Sequence, residues 1–270
     1  MPVIRVNGVG LYYELAGAGD PLVLVHGSWS DHGTWAAVLP ALAERYRVLV
    51  YDRRGHSRSE RPAGQGTRTE DEQDLAALTE ALDLAPTHVV GSSFGGSTAL
   101  GLAARRPELF RSIAVHEPPL MGIVGEDPDL EPLVRAMAEK LESVFAHLRA
   151  GEDLAGARQF VEEVAFGPGV WDQLPEELRE TVLANAPTFL DEQADPGWSF
   201  VDLAGLSGYP GPALLTNGTE SPPWFAAIIS RLAETLPRAE VATFRGAGHV
   251  PHVSHPEEYV RSLTGFLDAA

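Results

Sequence analysis

Short apolar runs alternate with helical periodicity over the first half of the chain, and that alternation predicts the architecture. Val3 to Val6 and Leu11 to Leu15 read as two strands joined at Asn7-Gly8, a hairpin signal. Pro21-Leu22-Val23-Leu24-Val25 is continuously apolar, the pattern of a strand buried on both faces. A helix is expected from Thr34 to Arg45, then a second buried strand from Tyr46 to Tyr51. Arg61 to Arg68 is a Pro- and Gly-rich loop. Glu70 to Leu82 is an amphipathic helix with Leu75, Leu78 and Leu82 on one face. His88 to Val90, Phe94 to Arg105 and Ser112 to Glu117 then read as strand, helix and strand. Strands and helices in alternation predict a parallel α/β sheet.

The pattern changes between Leu120 and Gly205. Leu130 to Arg149, Asp153 to Phe166, Pro175 to Ala186 and Thr188 to Ala194 carry helical periodicity, and no strand pattern interrupts them. Alternation resumes with a strand at Ala213 to Thr216, a helix at Phe225 to Thr235, a strand at Glu240 to Phe244 and a closing helix at Glu257 to Leu267. The expected division is therefore a core of residues 1–119 and 206–270, with residues 120–205 as a helical cap inserted after the sixth strand. Such an insertion is expected to lie over the carboxyl edge of the sheet.

Composition narrows the partners. The net charge of −18 disfavours nucleic acid and anionic membrane surfaces, since phosphate binding wants clustered Lys and Arg. There is no cysteine, which excludes disulfides, a thiol nucleophile and thiolate metal sites. No apolar run approaches the ~18 residues that mark a membrane span, and the N-terminal residues lack signal-peptide order. A cytoplasmic location is expected. No spacing suggests a metal site or a phosphate loop, so neither metal nor cofactor is expected.

The chemistry centres on Val89-Val90-Gly91-Ser92-Ser93-Phe94-Gly95-Gly96. A strand that turns sharply into a helix around the serine of G-x-S-x-G is the nucleophile-elbow signature. Ser93 as nucleophile needs a base, an orienting acid and an oxyanion hole. His249 is the base candidate, because it lies in a Gly-rich loop after the last strand and fits the order Ser, acid, His. His252 and His255 read as loop or helix-start residues. The oxyanion donors are expected to be the N–H of Phe94 and that of Ser28, which follows His26-Gly27 at the end of the third strand. Asp52, in the Asp52-Arg53-Arg54-Gly55-His56-Ser57-Arg58-Ser59 turn, reads as structural. The substrate-binding candidates are Trp29, Met121 and Phe189, with cap packing as the other reading of Trp29.

Four islands, His26-Gly27, Asp52-x-x-Gly55-x-Ser57-x-Ser59, Gly91-x-Ser93-x-Gly95 and Gly248-His249, together resemble the α/β-hydrolase fold family, in its order and from end to end of the chain. The resemblance implies a mostly parallel central sheet flanked by helices. Many members carry Gly-x-x-Asp after the penultimate strand. Here the stretch is Gly218-Thr219-Glu220-Ser221, and Ser221 cannot be an anion. Glu117, at the end of the strand after the elbow helix, is the first candidate for the acid, and Glu220 the second. His116-Glu117-Pro118-Pro119, Thr219-Glu220-Ser221 and the stretch from Gly248 to Pro256 are also similar to the zearalenone-lactonase branch, which places its acid on such a His-Glu pair. The chain departs from that branch at His26-Gly27 and at Phe189, where those lids carry tryptophan. The resemblance therefore implies the reaction type and not the substrate.

The function expected is a cofactor-independent serine hydrolase opening a carboxylic ester or lactone of a hydrophobic small molecule. A C–C bond hydrolase or thioesterase on the same triad, a non-hydrolytic cyclase and a ligand-binding protein are the alternatives. A homodimer is left open.

Overall fold

A computed structural model describes residues 2–125 and 127–270. Eight strands form one sheet in the order β1-β2-β4-β3-β5-β6-β7-β8. β1 (Val3–Val6) and β2 (Val9–Ala16) form an antiparallel hairpin. Asn7 and Gly8 close it with φ of 47° and 78°, the left-handed pair that a two-residue turn of matching twist requires. β2 pairs antiparallel with β4 (Tyr46–Tyr51). β3 (Asp20–Val25), β4, β5 (Thr87–Ser92), β6 (Phe110–His116), β7 (Ala213–Gly218) and β8 (Ala239–Phe244) run parallel, so the carboxyl ends of the central strands share one edge.

The helices, in chain order, are α1 (Leu39–Ala43), α2 (Arg68–Ala81), α3 (Phe94–Arg105), α4 (Glu131–Arg149), α5 (Asp153–Gln159), α6 (Val170–Gln173), α7 (Glu176–Ala194), α8 (Leu203–Ser207), α9 (Pro223–Thr235), α10 (Pro251–Ser254) and α11 (Pro256–Leu267). Strand side chains alternate between the two faces of the sheet, and both faces are covered. Val23, Val25, Val89 and Val115 pack with Leu75, Leu100 and Ile228 of α2, α3 and α9. Leu22, Leu24, Val90 and Ala114 face the other way, onto Leu42, Leu263 and Phe266 of α1 and α11. This two-sided burial is why the strands read as unbroken apolar runs.

Several predicted boundaries move, each for a local reason. The helix expected from Thr34 to Arg45 is a 3-10 turn at His32–Trp35 followed by α1. Pro40 sits in the first turn of α1, where its missing N–H does no harm. α2 begins at Arg68, ahead of the expected Glu70, because Thr67 and Glu70 form a reciprocal capping box. α7 is one helix through Pro187, where two were expected. Ala186 and Phe189 on either side of that proline are buried against neighbouring helices, and this packing outweighs the hydrogen bond the ring removes. The helix expected from Asp153 to Phe166 widens into a π-helical turn at Phe160–Ala165.

Between β6 and β7 the described residues form no strand. Of the expected core and cap ranges, Met1 and Glu126 lie outside the described residues. Val144, Leu148, Ala157, Val161, Trp171, Ala186 and Phe189 of α4 to α7 form a third apolar cluster, joined by Trp29. The two ends of the segment belong elsewhere, since Leu120, Leu130, Val201 and Leu206 pack with the sheet's own core. Among the described residues, no helix is long and apolar enough to cross a membrane.

Candidate active site

Ser93 stands between β5 and α3 with φ 53° and ψ −124°, a conformation that a residue with a side chain rarely adopts. The turn closes so tightly that only glycine fits beside it. A Cβ on Gly95 would lie 2.3 Å from Val25 O, and one on Gly27 would lie 2.9 Å from the Ser93 Cβ. The Ser93 N–H donates to His116 O at 2.9 Å, which ties the elbow to the neighbouring strand end. Ser93 O in turn accepts from Gly96 N at 2.8 Å, starting α3. The helix N-terminus therefore opens beside the serine, with its positive dipole end toward any developing oxyanion.

Glu117 follows β6 with φ 45° and is fully buried. Both carboxylate oxygens are engaged. Oε1 accepts the Gly218 N–H at 2.8 Å, and Oε2 accepts from His249 Nδ1 at 2.7 Å. This bond assigns the imidazole proton to Nδ1 and leaves Nε2 as the basic nitrogen. The His249 ring stacks on Phe225, centroids 5.0 Å apart, and its side chain is 24% exposed. Burial pushes the Glu117 carboxyl up, but the His249 hydrogen bond, the nearby His116 and the Gly218 N–H together hold it below the usual glutamate value. Among the described residues Ser93 Oγ makes no hydrogen bond to His249; such bonds are often long without substrate and tighten in the complex. Glu220 is exposed, and its carboxylate accepts from Thr219 Oγ1 at 3.2 Å instead of meeting His249.

The two residues expected to supply oxyanion donors stand at element ends. Phe94 is the first residue of α3, and Ser28 follows the end of β3. Neither backbone N–H is taken by another hydrogen bond among the described residues. His26 shapes the loop below them. Its Nδ1 bonds Gly27 O at 2.8 Å, and its Nε2 accepts the Arg53 N–H at 3.0 Å. Burial and the Arg53 charge lower its pKa to about 3, so the ring is neutral and can accept. Asp52 holds the turn after β4, accepting from His32 N and Nδ1 at 2.9 and 2.6 Å and from Arg58 N at 3.0 Å.

Two of the three substrate-binding candidates, Trp29 and Phe189, meet in the helical cluster, and Met121 packs against another. Trp29, at φ 62°, lies 4.7 Å from the Phe189 ring and 4.8 Å from Phe160, all in the helical cluster. Met121 is in a short 3-10 turn and packs with Ile123 and Val124 on the sheet's core. His252 is buried in α10, bonded to Thr34 Oγ1 at 3.0 Å, and burial lowers its pKa to about 3.

Three participants escape a reading of the sequence. His116 is buried behind Glu117; its Nδ1 pairs with Thr216 Oγ1 at 3.0 Å, and its Nε2 lies 3.6 Å from Glu117 Oε2. Burial takes its pKa to about 4, leaving it neutral. Arg53 and Glu192 form a buried ion pair, and Glu192 also accepts from Ser28 Oγ at 2.5 Å. Glu192 lies in an ordinary acidic helix sequence that carries no signal of such a role. The fold also gathers two groups whose ligand-type atoms lie within 4.8 Å, His116/Glu117/His249 and Asp31/His32/Asp52. In each the carboxylate is already bonded to an imidazole, so the hydrogen bonds account for both clusters.

Similarity to known proteins bears on the family and the fold. The profile described as "Alpha/beta hydrolase family" matches residues 22–262. The 2-hydroxymuconate semialdehyde hydrolase of Pseudomonas sp. (strain CF600) is 29% identical over 280 residues, covering 99% of this chain and 93% of that protein. A putative carbamate hydrolase, RutD, of Azorhizobium caulinodans is 36% identical over 115 residues, a match spanning less than half of either protein, 43% of each. The solved structure of Est816, described as an N-acyl homoserine lactone degrading enzyme, superposes with a TM-score of 0.71 at 25% identity, covering 98% of this chain and 100% of that one. An eight-stranded, mostly parallel sheet flanked by helices, an elbow after β5 and a family match over nearly the whole length lead to one conclusion: the chain belongs to the alpha/beta hydrolase family.

Proposed function

We propose that the protein is a serine hydrolase that cleaves a carboxylic ester or lactone of a hydrophobic small molecule through an acyl-enzyme. The observation that carries this reading is the buried Glu117–His249 hydrogen bond of 2.7 Å, on the strand end next to the strained Ser93. Ser93 Oγ attacks the carbonyl carbon while His249 Nε2 takes its proton. Glu117 keeps the imidazole in the Nδ1–H tautomer and stabilises the imidazolium that forms. The N–H groups of Phe94 and Ser28 receive the negative oxygen of the tetrahedral intermediate, a contribution of ~2.7–4 kcal/mol per donor. The intermediate collapses as His249 protonates the departing alkoxide. A water then gives its proton to His249 and attacks the acyl carbon, and this second intermediate collapses as His249 returns the proton to Ser93 Oγ and the acid is released. The aromatic group around Trp29 and Phe189 supports an apolar substrate, and Est816 supports a lactone.

Incubation with a fluorophosphonate followed by peptide mass mapping tests the nucleophile. Adduct on Ser93, lost in Ser93→Ala, is the expected result; adduct elsewhere, or none, sinks the reading. A second reading, hydrolysis of a C–C bond, is favoured by the end-to-end similarity to the semialdehyde hydrolase. Turnover of p-nitrophenyl esters and acyl lactones against a ring-fission vinylogous diketone separates the two.

A further inference from the structure

Glu192 lies near the end of α7, in the helical cluster, yet it is only 5% exposed. A carboxylate buried this far must be paired, and both of its oxygens are. Oε2 accepts the Ser28 hydroxyl at 2.5 Å, and Oε1 is ion-paired with Nη2 of Arg53. Arg53 is itself fully buried. Its Nη1 donates to Asp71 at 3.0 Å, its guanidinium lies 4.8 Å from the Phe94 ring centroid, and its Nη2 also donates to Gly27 O at 3.3 Å.

Gly27 C=O and Ser28 N–H belong to one peptide group. That group is planar and trans, so fixing where the carbonyl points fixes where the N–H points, on the opposite side. Arg53 Nη2 holds the carbonyl end together with His26 Nδ1, which bonds the same oxygen at 2.8 Å. Glu192 holds Arg53 from one side and anchors the Ser28 side chain on the other. One carboxylate thus constrains the Gly27–Ser28 peptide twice, once through Arg53 and once through the Ser28 hydroxyl.

We infer that Glu192 is a positioning residue for the oxyanion hole, setting the direction of the Ser28 N–H from helix α7. The inference rests on the serine-hydrolase reading. It makes the hole dependent on the seating of α7, since the residue that orients the donor is not on the loop that carries it. Glu192 touches no reacting atom. Its effect therefore belongs in the transition state, where the donor meets the oxyanion, and little of it in substrate binding.

The test compares wild type with Glu192→Gln, Ser28→Ala and the double variant. The measurements are p-nitrophenyl butyrate hydrolysis, affinity for an aliphatic trifluoromethyl ketone that forms a hemiketal oxyanion on Ser93, and thermal melting. Both single variants are expected to lower kcat roughly tenfold, short of the ~10²–10³ that loss of a donor itself costs. KM should stay within about twofold, and ketone affinity should fall by the same factor as kcat. The double variant should lose no more than the worse single one, because the Ser28 contact removed by Ser28→Ala is one of the two that Glu192 makes. Unchanged kcat and ketone affinity in the folded variants overturn the inference, as does a loss confined to melting temperature. If Glu192→Gln does not fold, Ser28→Ala, which leaves the Arg53 ion pair intact, decides by the same criteria. A fluorophosphonate control on wild type keeps the failures distinct: labelling at Ser93 with unaltered variants refutes only the role of Glu192, whereas no labelling refutes the hydrolase reading beneath it.

Discussion

Glu117 is a glutamate in a site usually described with an aspartate, and its position explains the length. It follows the strand next to the one that leads into Ser93, and its carboxylate spans from there to both Gly218 N and His249 Nδ1. Glu117→Gln keeps the shape but offers an amide where the imidazole N–H needs an acceptor of full charge. Turnover is expected to fall by ~10⁴, the order seen when a triad acid loses its charge, with the melting profile still cooperative. Glu220→Gln should leave ester hydrolysis unchanged. The same residue sets a pH dependence. Its folded pKa lies below the ordinary value, so the charged form contributes stability that is present above the unfolded pKa of ~4.3 and is lost as pH falls through the lower folded value. The melting-temperature gap between wild type and Glu117→Gln should therefore hold at neutral pH and narrow as pH falls below about 4.3.

At the scale of elements, two local devices hold the site's supports. The Thr67/Glu70 capping box starts α2, the helix that carries Asp71 to Arg53. Thr67→Ala should cost about 1 kcal/mol in urea unfolding, with ester turnover per folded molecule unchanged. The elbow is less forgiving. Gly95→Ala places a methyl 2.3 Å from Val25 O and 2.5 Å from His26 O, both backbone atoms that cannot swing away. Stability should drop by ~1–3 kcal/mol or more. Activity should drop with it, because the displaced segment is the one that carries Ser28. Circular dichroism melts and p-nitrophenyl ester rates on the same samples check both.

Across the whole molecule, helix α7 is joined to the core by buried charges as well as by apolar packing. Arg53 lies buried between Asp71 of α2 and Glu192 of α7, one cation for two carboxylates. Arg68 extends the seam, bonding Glu72 and taking Asp195 at its own N–H. Burial, with Glu192 and Asp74 adding repulsion against the pull of Arg53, pushes the Asp71 carboxyl up to about 7. A buried acid whose folded pKa exceeds its unfolded one binds more protons when folded. Stability from this group is then greatest below the unfolded value of ~3.9, and it declines as pH rises toward about 7. Urea midpoints measured from pH 5 to pH 8 should show this decline in wild type. Asp71→Asn, which removes the titrating group, should lessen the decline, so that the variant gains relative to wild type as pH rises.

Much of this was legible in the chain itself. Apolar runs bounded by turn residues marked the strands, because burial on both faces of a parallel sheet leaves no polar positions in them. G-x-S-x-G between strand and helix marked Ser93, because the elbow's crowding admits only glycine there. Serine at position 221, which cannot carry the charge, directed attention to Glu117. The continuity of α7 through Pro187, the scatter of Met121 away from Trp29 and Phe189, and the parts played by Glu192, Arg53 and His116 were not legible. Each depends on what a residue meets across tens or hundreds of positions, and a buried charge looks like a surface charge until its partner is known. The sequence alone determined which elements form and which residue could be the nucleophile, since those follow from local sterics and periodicity. Only the tertiary structure decided which carboxylate faces His249 and which buried charges brace the loop beside Ser93, because burial and pairing are properties of the packed molecule.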